Sequence, residues 1–159
     1  MAAVKKTNAV RILEGLKIPF ELLEYEIDEK ELSAEDAAAK TGIAEERTFK
    51  TLCCRGDKTG VLLACVPAGR DLDFKALAAA SGNKSAELVH LKEVQGLTGY
   101  VRGGCSPLGT KKKYPVVIDE SALSFDFITV NAGHRGLLFK LAPADLVRAT
   151  EAKSAPIVR

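Results

Sequence analysis

Near the start of the chain, the spacing of hydrophobic residues and the positions of helix-capping residues predict a helix, a strand and a second helix. Thr7 can cap a helix whose apolar residues recur three and four positions apart. That apolar face comprises Ala9, Ile12, Leu13 and Leu16. Over residues 20–27 the period is two, as in a strand with one buried face. Ser33 can then cap a short helix that we expect to end at Gly42.

A β-hairpin over residues 49–67 is the strongest local signal. Two apolar, strand-forming runs, residues 49–55 and 61–67, are joined by a turn that begins and ends with glycine. The remaining segments predict shorter elements. They are a helix over residues 73–80, a strand over 87–91, a helical turn over 93–97, strands over 116–119, 125–130 and 137–141 with a turn over 131–136, and a C-terminal helix opened by Pro143.

Strand pairs that are mostly antiparallel, interspersed with short helices, are typical of an α+β domain. We predict a single domain over residues 1–159, whose ordered core spans about residues 7–150. Its sheet is expected to be mixed, largely antiparallel and curved, with short helices beside it. The length of 159 residues fits one domain, and no internal repeat or linker divides it. The tail from Lys153 is expected to fray.

Composition excludes several classes of protein. With 47% hydrophobic and 28% charged residues, the chain has the composition of a soluble globular protein. It shows neither the apolar stretch of a signal peptide nor the ~18 consecutive apolar residues of a membrane span, so we expect a cytoplasmic location. The four cysteines show no CxxC spacing and the two histidines lie far apart. We therefore expect reduced thiols, no metal and no other cofactor.

Two local groups of basic residues matter more than the net charge, which at +2 is too small to indicate a nucleic-acid binder. Lys111, Lys112 and Lys113 directly follow a glycine-rich loop. Arg135 lies in a second glycine-flanked turn. Each group fits a solvated turn as well as a phosphate contact, so charge alone leaves both interpretations open.

The chain contains none of the standard catalytic motifs, neither GxSxG, HExxH, a P-loop nor GxGxxG after a strand. Two features are unusual. The loop over residues 103–107 has two glycines and a proline, so its backbone N–H groups can face a ligand, although an ordinary turn is the simpler interpretation. Lys50, in an apolar strand, either reaches past the sheet edge to solvent or faces a polar cavity.

Three other residues are weaker candidates for chemistry. Tyr25 lies on the apolar face of its predicted strand, where a tyrosine more often belongs to the core than to a site. Cys105 and Ser106 invite comparison with a nucleophile, but neither has an adjacent base in the sequence. Local chemistry alone therefore does not define an active site.

One combination of segments is specific although no single segment is. It comprises Tyr25, residues 49–52, Val66 with Pro67, residues 98–100, residues 103–109, Ile118 with Asp119, and residues 132–136. In this order, the segments resemble the YbaK/EbsC family, bacterial proteins related to the editing domain inserted into prolyl-tRNA synthetase. The likeness runs from about Thr7 to Thr150, nearly the whole chain.

The resemblance implies a free-standing, trans-editing aminoacyl-tRNA deacylase that removes cysteine from Cys-tRNA(Pro) and also acts on Cys-tRNA(Cys). It places the essential lysine of the family at Lys50 and its glycine–proline loop at residues 103–107. The backbone amides of Gly103 and Gly104 would then stabilise developing negative charge. The substrate cysteine's own thiol is expected to attack its ester and give a cyclic thiolactone, which removes the need for a protein nucleophile.

The resemblance also implies the remaining site residues and the partners. Substrate contacts are expected from Tyr25, Cys105, Ser106, Pro107, Asn131 and Leu138. Contacts to the tRNA are expected from Lys111, Lys112, Lys113 and Arg135. Aminoacyl-tRNA is the expected ligand, and prolyl-tRNA synthetase is a candidate partner that would supply specificity for the tRNA body. The sequence does not predict an oligomeric state.

Two departures from the family pattern leave the substrate open. Asn131 and Leu138 stand where the family has serine and aspartate, and losing a carboxylate can alter recognition of the substrate's amino group. Cys105 occupies a loop position that is apolar in the family. Alternatives are therefore an editing deacylase for alanine or another small amino acid, a non-catalytic module that binds tRNA or a synthetase, and thiol chemistry at Cys105.

Overall fold

The computed structural model of the protein describes residues 6–159, so residues 1–5 of the predicted 1–159 domain lie outside the described residues. The helices are α1 (Asn8–Gly15), α2 (Ala34–Thr41), α3 (Phe74–Ser81), α4 (Leu91–Thr98) and α5 (Pro143–Thr150). The strands are β1 (Glu21–Glu24), β2 (Thr48–Gly56), β3 (Gly60–Pro67), β4 (Ala86–Leu88), β5 (Val116–Asp119), β6 (Ile128–His134), β7 (Leu137–Leu141) and β8 (Lys153–Ala155). Short 3₁₀ helices span Glu45–Arg47 and Glu120–Ser124.

The eight strands form one mixed sheet in the order β1-β7-β6-β2-β3-β5-β8, with β4 paired to β2. Four of the strand pairs are antiparallel: β1 with β7, β2 with β3, β2 with β4, and β6 with β7. Three are parallel: β2 with β6, β3 with β5, and β5 with β8. The predicted single α+β domain with a mixed sheet and short helices is confirmed.

Three helices begin at the residues that the sequence indicates. The side chains of Thr7, Ser33 and Asp73 each accept a hydrogen bond of 3.1 Å from the backbone N–H three residues further along. Such a cap satisfies one of the N–H groups left free at a helix start and contributes about 1 kcal/mol. The hairpin of β2 and β3 also has nearly the predicted bounds.

The buried face of α1 differs from the prediction. Ala9, Val10 and Leu13 are buried, whereas Ile12 is 36% exposed and Leu16 is 48% exposed. Val10 lies one position from the predicted stripe, so the helix is rotated about its axis relative to the predicted apolar face. The pattern therefore identified the helix but not all of its core residues.

Several element bounds in the second half of the chain also differ. The predicted strand over residues 87–91 ends at Leu88, because His90 caps α4 and its backbone N–H donates to the Glu93 carboxylate at 3.3 Å. The predicted strand over residues 125–130 begins only at Ile128. Its first residues instead flank Arg47, whose guanidinium carbon lies 4.3 Å from the Phe127 ring centroid.

The prediction that the chain frays from Lys153 is wrong. Residues Lys153–Ala155 form β8, which pairs in parallel with β5. Beyond it Ile157 is fully buried, and its backbone N–H donates to the Asp119 carboxylate at 3.0 Å. A buried apolar side chain and a satisfied backbone group hold the tail on the domain.

The sheet buries side chains on both faces. The larger core cluster includes Phe49, Cys53 and Phe139, and the smaller one includes Cys54 and Leu77. Cys53 and Cys54 belong to different clusters because adjacent residues of a strand point to opposite faces of the sheet. No helix within residues 6–159 is long and apolar enough to cross a membrane.

Candidate active site

The candidate site lies at a gap in the sheet beside β2. On one edge β2 pairs with β3 from Phe49 to Gly56. On the other edge it pairs with β6 only at Thr48 and Phe49, and with β4 only from Cys54 onward. Residues 50–53 therefore have no partner strand on that edge within the part of the chain that the structure describes.

A cleft of about 990 Å³ opens at this gap, a volume typical of sites for small ligands. It is lined by six of the residues that the sequence and the resemblance selected: Tyr25, Lys50, Gly103, Cys105, Asn131 and Leu138. These residues come from segments distant in the sequence, and the sheet order brings them together. Gly104, Ser106 and Pro107 are buried and do not line the cleft.

Lys50 is half-buried and faces this cleft. Its ammonium donates a hydrogen bond to the carbonyl of Ala68 at 3.2 Å. Among residues 6–159, no carboxylate forms an ion pair with it. The positive charge is therefore available to an anionic or strongly polar ligand.

The loop after α4 is held as a tight turn. The backbone N–H of Gly104 donates to the carbonyl of Val101 at 2.9 Å, and Gly103 has a φ of +82°. A type II turn requires this positive φ at its third residue, which explains the first glycine. A Cβ on Gly104 would lie 3.1 Å from the backbone nitrogen of Arg135, so close backbone approach explains the second.

This turn corrects the expectation for Gly104. Its N–H is already used inside the loop and is not free to stabilise charge on a ligand. The N–H groups of Gly103 and Cys105 donate to no acceptor within residues 6–159, and both residues line the cleft. The donor role therefore fits Gly103 and Cys105 better than Gly104.

Ser106 and Pro107 are buried residues of the loop. Ser106 is fully buried, and its hydroxyl accepts a hydrogen bond from the backbone N–H of Leu108 at 3.3 Å. The carbonyl of Leu108 in turn accepts the hydroxyl of Tyr100. The prediction of direct substrate contact by Ser106 and Pro107 is therefore not supported by their position, because neither reaches the cleft surface.

Asn131 connects the bulged end of β6 to the Gly103 loop. Its side-chain oxygen accepts from the N–H groups of Gly133 at 2.7 Å and His134 at 3.1 Å. Its amide nitrogen donates to the carbonyls of Gly103 at 3.0 Å and His134 at 3.2 Å. Since these four bonds use its hydrogen-bonding capacity, the expected direct polar contact between Asn131 and the substrate is not supported by the structure.

Leu138 and Tyr25 form another wall of the cleft. Leu138 is 3% exposed and pairs across the sheet with Leu23 and Asn131. Tyr25 lies just beyond the end of β1, where its backbone N–H donates to the carbonyl of Gly136 at 2.9 Å. Burial raises the pKa of the Tyr25 phenol, so its hydroxyl remains a donor at neutral pH.

Cys105 lies on the same side of the sheet as two other thiols. Burial, helped by the neighbouring Cys53 and opposed by a hydrogen bond with Thr98, raises the pKa of Cys105 to about 12. Burial likewise raises the pKa of Cys65 to about 12, against a hydrogen bond with Thr51 that lowers it and with a smaller contribution from Cys105 that raises it. A thiol with such a pKa is protonated at neutral pH and is a poor nucleophile.

The predicted tRNA-binding cations lie outside the cleft. Lys113 pairs with Glu151 on the surface, and the stem of Lys111 packs over Gly99. Arg135 donates to the carbonyl of Arg102 at 2.7 Å and so braces the glycine loop. None of these side chains lines the cleft.

Sequence reasoning missed two cations of the cleft, Arg102 and Lys30. Both are exposed and line it together with His90. Arg102 directly precedes the glycine loop, so its position offered a signal. Lys30 had no such signal in the sequence, because it lies in the long connection between β1 and α2 and only the fold brings this connection to the cleft.

Comparison with known proteins places this site in a family. Residues 28–149 match the model of the aminoacyl-tRNA editing domain. A protein of Enterococcus faecalis, named as the Cys-tRNA(Pro)/Cys-tRNA(Cys) deacylase EbsC, is 45% identical over 153 residues, which cover 96% of this chain and 93% of the relative. The chain therefore belongs to the aminoacyl-tRNA editing family, and the YbaK/EbsC resemblance is confirmed.

Solved structures agree with this assignment at the level of the fold. The crystal structure of the hypothetical protein APE2540 is 25% identical, with a TM-score of 0.87 over 96% of this chain and all of that one. A structure described as a trans-editing enzyme for prolyl-tRNA synthetase is 24% identical, with a TM-score of 0.80 over 96% of this chain and 98% of that one.

Proposed function

We propose that this protein is a free-standing editing deacylase that removes cysteine from Cys-tRNA(Pro) and from Cys-tRNA(Cys). The observation that carries the proposal is that Lys50, without a carboxylate partner in the described chain, and the Gly103 loop line one cleft. The name of the E. faecalis relative supports the same reaction.

An aminoacyl ester is already activated, so cleavage needs placement and charge stabilisation more than a strong protein nucleophile. The N–H groups of Gly103 and Cys105 are the donors that would meet negative charge on the carbonyl oxygen. Lys50 would hold the ester end or the terminal nucleotide by its charge. One well-placed donor of this kind is worth about 2.7–4 kcal/mol in the transition state.

The nucleophile in this proposal is the thiol of the substrate cysteine. Its sulfur bonds to the acyl carbon, the bond from that carbon to the ribose oxygen breaks, and the thiol proton passes to the ribose oxygen. The products are a cyclic thiolactone and deacylated tRNA, and water then opens the thiolactone to cysteine. The raised pKa of Cys105 and the buried, bonded hydroxyl of Ser106 are consistent with a protein that supplies no nucleophile.

Alanine is the second candidate substrate. Leu138 occupies the cleft wall where the family pattern has a carboxylate, and Cys53 and Cys105 line the same space. This wall suits a small side chain without a charged partner.

A deacylation panel tests the proposal and separates the candidates. Purified protein is incubated with Cys-, Ala- and Ser-tRNA(Pro) and with Cys-tRNA(Cys), and the released amino acid is measured. We expect cysteine to be released fastest and S-methylcysteine, which lacks a free thiol, to resist release. Preference for Ala-tRNA(Pro) would reject the thiol-assisted route, and binding without release of any amino acid would indicate a non-catalytic module.

Aminoacyl-tRNA is the proposed ligand, and prolyl-tRNA synthetase the proposed partner. Lys111, Lys112 and Arg135, which lie outside the cleft, are proposed to contact the tRNA, while Lys113 forms an ion pair with Glu151. This basic surface is local, since the net charge is only +2. A partner that reads the tRNA body is compatible with so small a surface. Adding synthetase to the deacylation assay is expected to raise kcat/KM for Cys-tRNA(Pro) above that for Cys-tRNA(Cys).

A further inference from the structure

The backbone of β2 presents an unpaired residue to the cleft. The carbonyl of Thr48 accepts from the N–H of Ala68 at 2.7 Å, on the β3 edge. The carbonyl of Cys53 accepts from the N–H of Val89 at 3.1 Å, on the opposite edge. Backbone groups of successive strand residues point alternately to the two edges, so the N–H and C=O of Thr51 point the same way as those of Cys53.

Neither backbone group of Thr51 has a partner within residues 6–159. The pairing with β6 stops at Phe49 and that with β4 starts at Cys54, which leaves Thr51 in the middle of the gap. No loop residue of the described chain donates to its carbonyl or accepts from its N–H. Backbone polar groups seek partners, and those of Thr51 are open to a ligand in the cleft.

The side chains beside this gap lie on different faces of the sheet. The side-chain hydroxyl of Thr51 lies 3.8 Å from the thiol sulfur of Cys65, a residue of the larger core cluster. Cys105 is a neighbour of the same thiol. Lys50, the preceding residue of the strand, points to the other face. A ligand that reaches both Lys50 and Cys105 must therefore cross the open edge at Thr51.

An α-aminoacyl ester matches this edge chemically. Its ammonium group is a donor and its ester carbonyl is an acceptor, separated by one carbon, as are the N–H and C=O of a residue in a strand. Two strand residues that face each other exchange both hydrogen bonds in this way. The open edge at Thr51 offers the same two groups to a ligand.

We infer that the backbone of Thr51 is the subsite for the α-aminoacyl group, an inference that rests on the proposed function. Its carbonyl accepts from the substrate ammonium, and its N–H donates to the ester carbonyl oxygen. Recognition of the ammonium then needs no carboxylate at position 138, where this chain has leucine. Since every aminoacyl ester carries these groups, selection among amino acids falls to the space around Cys105 and Leu138.

Nuclear magnetic resonance tests this subsite without turnover. The probe is 3′-deoxy-3′-(cysteinylamino)adenosine, a stable amide analogue of the aminoacylated end, and its comparison is the 3-mercaptopropionyl analogue, which lacks only the amino group. We expect the Thr51 amide proton to shift downfield and to exchange more slowly when either probe is bound, since both keep the carbonyl, and we expect the cysteinyl probe to bind at least about tenfold more tightly because only it has the amino group. The amide of Leu63, which donates to Pro115 at 2.8 Å, is the internal control and should not change.

The substrate amino group and the Thr51 amide are each tested by kinetics. Removing the amino group in 3-mercaptopropionyl-tRNA is expected to lower kcat/KM at least about tenfold. Thr51→Pro removes only the N–H on the open edge, which an edge strand tolerates, and is expected to lower kcat about 100-fold. Thr51→Val keeps that N–H and should be at least about ten times more active than Thr51→Pro.

The outcomes separate this inference from the proposed function. The inference alone would be overturned if the wild type releases amino acid but the Thr51 amide signal does not change on probe binding and the rates with and without the substrate amino group are equal. A wild type that neither releases any amino acid nor binds the probe would overturn the proposed function and the inference with it. If Thr51→Pro does not fold, the amide shift and the deamino substrate still decide.

Discussion

Two asparagines hold two turns at opposite ends of β2, and only one of the turns belongs to the cleft. At the hairpin end, the side-chain oxygen of Asn83 accepts from the N–H groups of Lys58 at 2.8 Å and Thr59 at 2.9 Å. Its amide nitrogen donates to the hydroxyls of Thr59 at 3.1 Å and Ser81 at 2.7 Å. Like Asn131 at the cleft end, Asn83 therefore makes four hydrogen bonds to neighbouring turns.

The two ends of β2 differ in what those bonds secure. Asn83 lies against Gly56, where β2 is paired on both edges, and it does not line the cleft. Asn131 holds the carbonyl of Gly103 beside the gap, where β2 has lost one partner. The same amide thus closes a turn at the hairpin end and positions a proposed ligand-binding loop at the cleft end. The comparison supports the proposal that ligand binding takes place where the strand pairing is interrupted.

The largest effect is expected from Lys50→Ala at the cleft end. Loss of the unpaired ammonium removes the proposed electrostatic contact to the ester or the terminal nucleotide, so kcat/KM for Cys-tRNA(Pro) should fall about 100-fold. Stability should change little, because the side chain is only half-buried and makes a single hydrogen bond to Ala68. Deacylation kinetics and urea unfolding of the same preparation measure both quantities. Undiminished activity would reject Lys50 as a site residue.

The predictability of the two ends of β2 also differs. The hairpin end follows from local chemistry, since apolar runs flanked by glycines determine both the strands and their turn. The gap at the cleft end depends on where β6 and β4 stop pairing, which is set by distant segments. The same distinction explains why the caps at Thr7 and Ser33 were predictable and the pairing of β8 was not.

The candidate site was predictable only in part, and for a physical reason. Lys50 and the glycine loop carry recognisable side chains and turn residues, and the family resemblance joined them. Residue type does not reveal that the Gly104 N–H is already hydrogen-bonded or that the backbone groups of Thr51 are unpaired, because both features depend on hydrogen bonds between main-chain atoms. Asn131 stood out as a departure from the family, but its role in bracing the loop required its four partners.

Matched substitutions of the two asparagines test the comparison directly. Asn131→Asp and Asn83→Asp are isosteric changes that keep the two accepted bonds at each site. At residue 131 the carboxylate repels the carbonyls of Gly103 and His134, so the free energy of unfolding should fall by about 1–3 kcal/mol. At residue 83 the hydroxyls of Thr59 and Ser81 can turn and donate to the carboxylate, so the free energy of unfolding should fall less. Only Asn131→Asp should lower kcat, by about tenfold, because it releases the Gly103 loop. Urea unfolding and single-turnover deacylation measure these effects, and equal kinetic losses in both variants would contradict the comparison.

A smaller effect is expected from surface charge. Lys111→Gln with Lys112→Gln removes two exposed cations that are proposed to contact the tRNA, and Lys58→Gln with Lys84→Gln removes two exposed cations at the hairpin end. We expect tRNA affinity to fall about threefold in the first pair and its salt dependence to weaken by about 0.7 per lost phosphate contact. The second pair, which alters net charge equally, should leave both unchanged. Affinity measured across a salt series distinguishes a local contact from bulk charge.

The smallest effect is expected from Cys105, whose pKa does not distinguish it from the core thiol Cys54. Burial raises the pKa of both to about 12 from an ordinary value of 9.0, so both are neutral below pH 9. If Cys105 were the nucleophile, the enzyme-dependent rate would climb about tenfold per pH unit beyond pH 9, whereas attack by the substrate thiol should level off near its ordinary pKa of about 8.5. We expect the second profile, with Cys105→Ala changing kcat by no more than about twofold and leaving its inflection in place. A rise that continues to pH 11 in the wild type and disappears in Cys105→Ala would assign the chemistry to the protein thiol instead.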